Sequence, residues 1–239
     1  MVAVVTGSTK GIGKAIGVKL LEEGYYVVFN YAKDDLGRRL LDDELKDYEG
    51  MYCVIKNDFC DEEQVSNFVE EIRNRFEKID VLVANAGITD RTSWEELSME
   101  QWNRVLHINL TVPAFLTQKL GKIMIDDGSI LYIGSILGEY AHSLSVPYGV
   151  SKSGLHFLTE SLVKEYANRR ITVNAICTGF TDTEWQKKKS EEQRMRIQSK
   201  IALQRFAEPE EIADLAYMMI TNRYMTGSIV KIDGGYVSK

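Results

Sequence analysis

The sequence has little of several residue types that define particular classes of protein. Its 239 residues include only three cysteines and three prolines, and 35 Asp and Glu outnumber 29 Lys and Arg. Three scattered cysteines exclude a disulfide-stapled scaffold and predict reduced thiols in a cytoplasmic protein. The formal net charge of −6 argues against nucleic acid as the main partner, because no excess of basic side chains is available to neutralise phosphates.

Long apolar runs, targeting segments and metal-ligand spacings are also missing from the sequence. No run approaches the roughly 18 apolar residues of a membrane-spanning helix, and the opening MVAVVTG has neither the basic region nor the cleavage site of a secretory signal. Cys53, Cys60 and Cys177 lie far apart, and His107 and His156 have no partner at a metal-binding interval. We therefore predict no membrane association and no metal site.

Apolar runs alternate with helical patterns along the whole chain, and no repeat or Pro/Gly-rich linker interrupts them. The runs typical of strands are residues 2–7, 25–31, 51–58, 80–87, 128–135, 171–179 and 227–235. Near-continuous apolar strands with helices between them indicate a parallel sheet covered on both faces. The prediction is a single α/β domain over residues 1–239, with a doubly wound Rossmann-type sheet of about seven strands whose ligand binds beyond the carboxyl ends of the strands.

The stretch TGSTKGIG follows the first predicted strand and opens the first predicted helix. Gly7, Gly11 and Gly13 have the spacing G-x3-G-x-G. Glycines permit a tight turn and a close approach of the backbone to a ligand, and a helix N-terminus attracts a pyrophosphate. The position and composition of the stretch predict a dinucleotide site, and an ordinary strand-to-helix loop is the alternative.

The end of the second predicted strand, FNYAK, is where NAD-binding sheets carry an acid for the adenosine ribose. Here Asn30 occupies that position, so no carboxylate would repel a 2′-phosphate. Lys10 in the glycine turn and Lys33 offer positive charge to such a phosphate, and Asp34 and Asp35 are expected past the end of the strand. These features predict NADP(H) rather than NAD(H) as the cofactor.

Tyr148 stands four positions before Lys152 in the stretch VPYGVSKSG. On a helix this interval places the two side chains on one face. A free tyrosine has a pKa near 10, and a positive charge about 4 Å away lowers it by roughly 3 units at an effective dielectric near 20. The pair suits proton transfer near neutral pH, although the same interval also occurs by chance on surface helices.

Together with other motifs, these stretches resemble the short-chain dehydrogenase/reductase family over essentially the whole chain. The family's TGxxxGIG motif matches Thr6–Gly13, and its NNAG motif is present as ANAG at Ala84–Gly87. HINLT contains Asn109 at the position of the family's helix asparagine, IGSI contains Ser135 thirteen residues before Tyr148, and YGVSK completes the set. Their order and spacing in one chain make a chance origin of the tyrosine–lysine pair improbable.

The resemblance implies an enzyme that interconverts a carbonyl and an alcohol by hydride transfer. Tyr148 is the implied general acid or base, Ser135 the hydrogen-bond partner of the substrate oxygen, and Lys152 the group that lowers the tyrosine pKa and binds the nicotinamide ribose. Asn109 is implied to hold a water of a proton relay. Alternatively, Asn85 and Asn109 satisfy backbone groups and Ser135 caps a turn. The glycine turn and the resemblance together predict these cofactor-binding residues: Gly7, Thr9, Lys10, Gly11, Ile12, Gly13, Asn30, Asp58, Asn85, Gly87, Tyr148, Lys152, Gly179 and Thr183.

The substrate is less well defined than the reaction. Within the family the chain most resembles the 3-oxoacyl-[acyl-carrier-protein] reductase type, including NYA after the second strand and RFAEPEEIADLA late in the chain. Asp126 and Asp127 stand where that type has basic residues for an acidic carrier, and like charges weaken docking. Arg169 and Arg170 are either a basic patch or a solvated helix end. A small ketone, a sugar, a sterol-like alcohol and a non-catalytic NADP(H)-sensing role remain alternatives.

Some details of the site are also left open by the sequence. Residues 182–206 are the predicted substrate lid, in which Trp185 and Phe206 either line a pocket or anchor the lid. The KKK run of this segment is predicted to be a solvated face. Thr178 stands before Gly179 where the family commonly has a proline, which frees the local backbone.

The assembly is the last open point. The resemblance implies a homo-oligomer, a dimer or tetramer, whereas the same apolar stripe could equally pack on its own sheet. The stripe consists of Leu155, Phe157, Leu158, Leu162 and Val163.

His142 lies between Ser135 and Tyr148, and we expect a surface or structural role for it rather than contact with substrate.

Overall fold

The computed structural model describes residues 1–141 and 145–238, and within them seven parallel strands form one sheet in the order β3-β2-β1-β4-β5-β6-β7. The strands are β1 (Val2–Val5), β2 (Tyr26–Tyr31), β3 (Tyr52–Lys56), β4 (Ile79–Ala84), β5 (Met124–Ile133), β6 (Thr172–Thr178) and β7 (Ile229–Ile232). The α-helices are α1 (Gly11–Glu22), α2 (Asp35–Glu44), α3 (Glu62–Arg75), α4 (Met99–Leu106), α5 (Val112–Leu120), α6 (Val146–Ser161), α7 (Val163–Tyr166), α8 (Glu184–Lys187), α9 (Glu191–Gln198) and α10 (Pro209–Thr221).

The chain order reverses at β1, which pairs with β2 on one side and with β4 on the other. Such a reversal opens a crevice outside the carboxyl ends of the two central strands. The glycine turn leaves β1 at this point. The structure therefore confirms the predicted doubly wound sheet and places the glycine turn at its switch point.

Two apolar cores lie on the two faces of the sheet. One contains side chains of α3, α5 and α6, such as Phe68, Leu116 and Leu155. The other contains side chains of α1, α2 and α10, including Leu20 and Ala216. Both faces are covered because the strand side chains are apolar on both sides, as the near-continuous runs predict. In the described part of the chain, no helix combines the length and the apolar character needed to cross a bilayer.

All seven strands differ in length from the runs read in the sequence, and β5 is the one that is longer than its run. β5 begins at Met124, four residues before the apolar run, and it includes Asp126 and Asp127. The register shifts between the pairings of Ile79 and Val81 with β5, and Asp127 has a φ of 61°. Met124 pairs with Ile79, and the next pairing is that of Ser129 with Val81, so Asp126 and Asp127 lie in an irregular stretch between the two pairings.

Candidate active site

The glycine turn is built so that the backbone occupies space that a side chain would need. Gly7 has a φ of 60°, and a Cβ there would lie 2.8 Å from the Cα of Ala86. A Cβ on Gly13 would lie 2.4 Å from Nδ2 of Asn85. Glycine is therefore required at both positions, by the left-handed backbone of the first and the close packing of the second.

The N-terminus of α1 opens from this turn into a cleft of about 1340 Å³. Its N-cap residue Lys10 makes no side-chain capping bond, so the amide groups of the first turn are available to an anion. The glycines and the helix terminus thus form a cradle that fits a pyrophosphate, which is the cofactor feature that the sequence predicts. Gly13 packs behind the cleft, and the other predicted cofactor-binding residues line it: Gly7, Thr9, Lys10, Gly11, Ile12, Asn30, Asp58, Asn85, Gly87, Tyr148, Lys152, Gly179 and Thr183.

Two ion pairs occupy the cleft near the end of β2. Lys10 Nζ lies 2.6 Å from Asp34 Oδ2, and Lys33 Nζ lies 2.9 Å from Asp58 Oδ2. The hydrogen bond from Lys10 holds the pKa of Asp34 below its ordinary value. Asp34 lies past the end of β2, as expected, and it also lines the cleft.

Three predicted asparagines have side chains that are engaged with the protein itself. Asn30 is buried, and its Oδ1 accepts a 3.1 Å hydrogen bond from the Gly7 amide. Asn85 Nδ2 donates to the carbonyl oxygens of Thr6 and Gly7 at 3.0 and 2.7 Å. These two asparagines hold the glycine turn in shape, which matches the backbone-satisfying alternative for Asn85.

Asn109 lies in a five-residue π-helical turn between α4 and α5, a local widening that is common at functional sites. Its Oδ1 accepts from the Ile88 amide at 2.8 Å, and its Nδ2 donates to the Ile88 carbonyl at 2.9 Å and to Ser151 Oγ at 3.0 Å. The side chain is fully buried. Asn109 therefore ties the loop after β4 to α6, and its predicted water stays a prediction.

Ser135, Tyr148 and Lys152 come together on the floor of the cleft. Tyr148 and Lys152 lie one turn apart near the start of α6, and Lys152 Nζ is 5.6 Å from the centroid of the Tyr148 ring. Ser135 follows β5, and its hydroxyl lies near enough to the Tyr148 phenol to influence the pKa of that phenol. Ser135 Oγ also accepts from the Leu137 amide at 3.2 Å, so it caps a short 3₁₀ turn as well as contacting the phenol.

The protonation states of this trio differ from the sequence-based expectation. Burial raises the pKa of Tyr148 to about 12, against a smaller lowering by the Ser135 hydrogen bond. Burial lowers the pKa of Lys152 to about 8. The effect of burial dominates at Tyr148, and the Lys152 ammonium donates to the Ile133 carbonyl at 2.6 Å and lies beside the phenol ring. At neutral pH, Tyr148 is therefore a protonated phenol next to a largely charged amine.

Thr178 takes over part of the role of the missing proline after β6. Its Oγ1 donates to the Gly134 carbonyl at 3.1 Å, which ties the ends of β5 and β6 together. The amide of Gly179 donates to Ile232 of β7 at 2.8 Å. The loop on this side of the cleft is fixed by hydrogen bonds to both neighbouring strands, although the backbone lacks the proline ring.

The 182–206 segment contains α8 and α9 and contributes to the cleft wall. Trp185 lines the cleft, with its ring centroid 6.1 Å from that of Tyr148. Phe206 is buried and packs on Phe180 at 6.2 Å and under the Arg194 guanidinium at 4.8 Å. The two aromatic residues therefore have different roles, one facing the cleft and one anchoring the segment. His142 lies outside the described residues.

The sequence reasoning missed the basic character of this wall. Lys189, assigned to a solvated face, lines the cleft together with Arg91, Arg196 and Lys200. Burial and the nearby Arg91 and Arg194 lower the pKa of Lys189. Among the described residues, none of the four lining cations has a carboxylate within 4.0 Å. Only the tertiary fold, which folds the segment over the loop after β4, reveals this clustering.

The acidic and basic pairs considered for carrier docking neutralise each other. Arg169 Nε lies 3.0 Å from Asp126 Oδ1, and Arg170 Nη2 lies 2.7 Å from Asp127 Oδ2. This surface therefore presents neither a free basic patch nor a free acidic one.

Comparisons with known proteins agree with this geometry. A family model described as "Enoyl-(Acyl carrier protein) reductase" matches residues 7–237. The chain is 34% identical to the 3-oxoacyl-[acyl-carrier-protein] reductase FabG of Aquifex aeolicus, over 98% of this chain and 96% of that protein. It is also 34% identical to glucose 1-dehydrogenase 2 of Bacillus subtilis, over 98% and 93% of the two chains.

A solved structure is similar over nearly the same length. The short chain dehydrogenase from Burkholderia cenocepacia, in complex with NADP, has a TM-score of 0.91 at 27% identity and covers 98% of this chain and 97% of its own. The chain therefore belongs to the short-chain dehydrogenase/reductase family, and the protein is an oxidoreductase of that family.

Proposed function

We propose that the protein interconverts a carbonyl and a secondary alcohol with NADP(H), using Ser135, Tyr148 and Lys152. The observation that carries this proposal is the meeting of these three side chains on the floor of the cleft that begins at the glycine turn. When bound, the cofactor supplies the hydride, and the protein supplies position, charge and a proton.

Ser135 and Tyr148 are arranged to bind one oxygen atom. Both residues line the cleft and their hydroxyls lie near each other, so a carbonyl oxygen placed beside them would accept from both. Such donors stabilise the negative charge that develops on the oxygen as hydride arrives. Tyr148 then gives its proton to that oxygen. A phenol with a pKa of about 12 is protonated at neutral pH, so its proton is in place for donation to the oxygen.

Lys152 acts on the phenol through its charge. The ammonium is buried, with the Ile133 carbonyl as its hydrogen-bond acceptor, and a buried charge 5.6 Å from the ring centroid stabilises the phenolate left after proton donation. The predicted contact of Lys152 with the nicotinamide ribose and the predicted relay past Asn109 belong to the same proposal.

NADP(H) is supported by the lysines at the adenosine end of the cleft. Lys10 and Lys33 are close enough to the glycine turn and the end of β2 to exchange their carboxylate partners, Asp34 and Asp58, for a 2′-phosphate. The similar Burkholderia enzyme was solved in complex with NADP. Because Asp34 also lines the cleft, a comparison of NADPH with NADH is part of the test.

For the substrate, we favour a small carbonyl compound, with a 3-oxoacyl thioester as the runner-up. This chain offers no free positive charge to an acidic carrier at that surface, because Arg169 is paired with Asp126 and Arg170 with Asp127. The cleft wall is lined by Lys189 and other cations, which suits a polar or anionic substrate better than a sterol-like alcohol. The named relatives include both a 3-oxoacyl reductase and a glucose dehydrogenase.

We also propose a homo-oligomer formed through the outer face of α5 and α6. Leu155 is buried against the sheet, whereas Phe157, Phe115 and Val150 are 72%, 47% and 45% exposed. These exposed apolar side chains present a surface that a second copy of the chain would bury. The cytoplasm remains the proposed location, since the three cysteines are unpaired.

The test is a substrate panel with NADPH and NADH. It contains small ketones with and without a carboxylate or phosphate, sugars, and 3-oxoacyl and 2-enoyl thioesters with and without a carrier protein. We expect NADPH oxidation with a ketone and a lower kcat/KM with NADH. Tight NADPH binding with no oxidation across the whole panel would contradict the enzyme proposal and support a sensor.

A further inference from the structure

Three donor side chains that are far apart in the sequence meet behind the candidate active site. Glu139 follows the 3₁₀ turn after β5, His156 lies on α6, and Cys177 lies on β6. One ligand atom from each lies within 4.8 Å of the others. No sequence motif marks this cluster, because its three members come from three separate parts of the chain.

His156 lacks the partners that a buried histidine needs. It is 5% exposed, and neither ring nitrogen has a hydrogen-bond partner among the described residues. The ring packs against the backbone at Gly134, where an added Cβ would lie 2.2 Å from Nε2. A buried nitrogen without a hydrogen-bond partner is unfavourable, so this ring is suited to bind a ligand, an ion or a water. Burial lowers the pKa of His156, which keeps the ring neutral and leaves a lone pair free for coordination.

Cys177 and Glu139 supply the complementary donors. Cys177 is fully buried, and its sulfur lies within 4.8 Å of a Glu139 carboxylate oxygen. Lys231, Asp233 and Lys152 are the other charged groups that face this cluster. Glu139 is exposed, so an ion can reach the cluster from solvent and the carboxylate can move to meet it.

We propose that Glu139, His156 and Cys177 form a three-residue site for Zn²⁺, with the fourth position open to water. Nitrogen, sulfur and oxygen donors in this number are a common zinc set. In a tetrahedral zinc site, ligand atoms lie about 3.5 Å apart, which movement of the exposed Glu139 side chain can provide. When Zn²⁺ binds, the Cys177 thiol loses its proton to solvent, and the resulting thiolate sulfur forms a bond to zinc.

The bound ion would connect α6 to β6 directly behind the phenol. His156 is two turns after Tyr148 and one turn after Lys152 on the same helix face. The charge on the cluster is felt at Tyr148, so a cation there stabilises a phenolate. This site does not depend on the proposed reaction, because Zn²⁺ binding is measured without cofactor or substrate.

The experiment is titration of the reduced, untagged, metal-free protein with Zn²⁺ in equilibrium dialysis and with Co²⁺ in absorption spectroscopy. We expect one equivalent of Zn²⁺, and a thiolate-to-cobalt charge-transfer band with Co²⁺. Cys177→Ala should remove the band and weaken Zn²⁺ binding at least about tenfold. Cys60→Ala, which removes an exposed thiol outside the cluster, is the matched control and should change neither.

A second variant guards against misfolding of the first. Glu139→Gln alters an exposed position, so it should leave the unfolding temperature unchanged while weakening Zn²⁺ binding. Absence of the thiolate band in the wild-type protein, or equal Zn²⁺ binding by wild type, Cys177→Ala and Glu139→Gln, would overturn the proposal and leave the cluster a hydrogen-bonded packing feature.

Discussion

At the scale of one residue, the buried charge of Lys152 lowers the stability of the folded protein. Its ammonium is 4% exposed and has a carbonyl, not a carboxylate, as its acceptor. Burial lowers its pKa from 10.5 to about 8. That shift corresponds to a cost of about 3 kcal/mol for holding the charged form in the folded protein at neutral pH.

Replacing Lys152 should therefore stabilise the protein while removing its activity. Lys152→Met keeps the aliphatic stem and removes the buried charge, and we expect the unfolding temperature at pH 7 to rise by roughly 5 °C with turnover lost. The matched control is Lys188→Met, at an exposed lysine outside the cleft, which should change neither quantity. Scanning calorimetry and NADPH oxidation give the two readouts.

The pH dependence of this effect has a definite sign. Between about 8 and 10.5 the unfolded chain binds more protons at this residue than the folded protein does, so the wild type gains stability as pH rises through that window. The stability advantage of Lys152→Met should be full below pH 8 and should disappear towards pH 10.5. An advantage that grows with pH would contradict the burial of a charged lysine.

Residue identity alone predicted the positions of the site but not what each side chain contacts. Tyr148 and Ser135, which the family resemblance singled out, both line the cleft. In contrast, the engagement of Asn30, Asn85 and Asn109 with main-chain groups depends on loops that only the fold brings together. The raised tyrosine pKa was not predictable either, because burial depends on packing while the sequence shows only the neighbouring charge.

At the scale of elements, the 182–206 segment is the part of the cleft wall that contacts Tyr148. Trp185 packs edge-on against Tyr148 from α8, and it is 41% exposed. Such a side chain contributes little to the core but shapes the space over the phenol. The salt bridge from Arg194 to Asp182 at 3.0 Å and the buried Phe206 hold the segment in place.

Trp185→Ala should change catalysis without changing the fold. We expect an unfolding temperature within about 2 °C of the wild type, since the residue is partly exposed, and a change of at least about fivefold in KM or kcat for the preferred ketone. Trp94→Ala, at a tryptophan that is 67% exposed and outside the cleft, is the control. Equal kinetics for both variants would show that the 182–206 segment does not cover the substrate.

Element boundaries followed the apolar pattern closely except where polar residues join a strand. The first helix was expected from Gly11 to about Glu23 and spans Gly11–Glu22. β5 starts earlier than expected because Met124 pairs with Ile79 across the polar Asp126 and Asp127. A polar edge of this kind carries no periodic signal, so sequence patterns mark the apolar centre of a strand better than its ends.

At the scale of the whole molecule, the fold class and the side of the sheet that binds ligand were predictable, because seven apolar runs with helices between them allow few other arrangements. The assembly was not, since one helix carries apolar residues on both its inner and its outer face. Leu155 faces the protein's own sheet, and Phe157 on the same helix faces solvent. Leu155 therefore fits packing on the protein's own sheet, whereas contact of Phe157 with a second subunit stays a prediction.

The oligomer proposal is tested by the mass of the particle. We expect a dimer or tetramer of the wild type by light scattering at micromolar concentration, and a smaller particle for Phe157→Gln, because the variant removes an aromatic residue that is 72% exposed in the single chain. The matched control is Tyr224→Gln, at an aromatic residue that is 99% exposed on another part of the surface. A monomeric wild type would refute the proposed interface.

The most direct test of the central claim is a single-turnover measurement on Tyr148→Phe with NADPH and a ketone that the wild type reduces. Removing the hydroxyl takes away the proton donor and leaves the ring beside Lys152 and Trp185. The account predicts unchanged NADPH affinity and a rate of NADPH oxidation at least about a hundredfold lower. NADPH oxidation by the variant at the wild-type rate would contradict it.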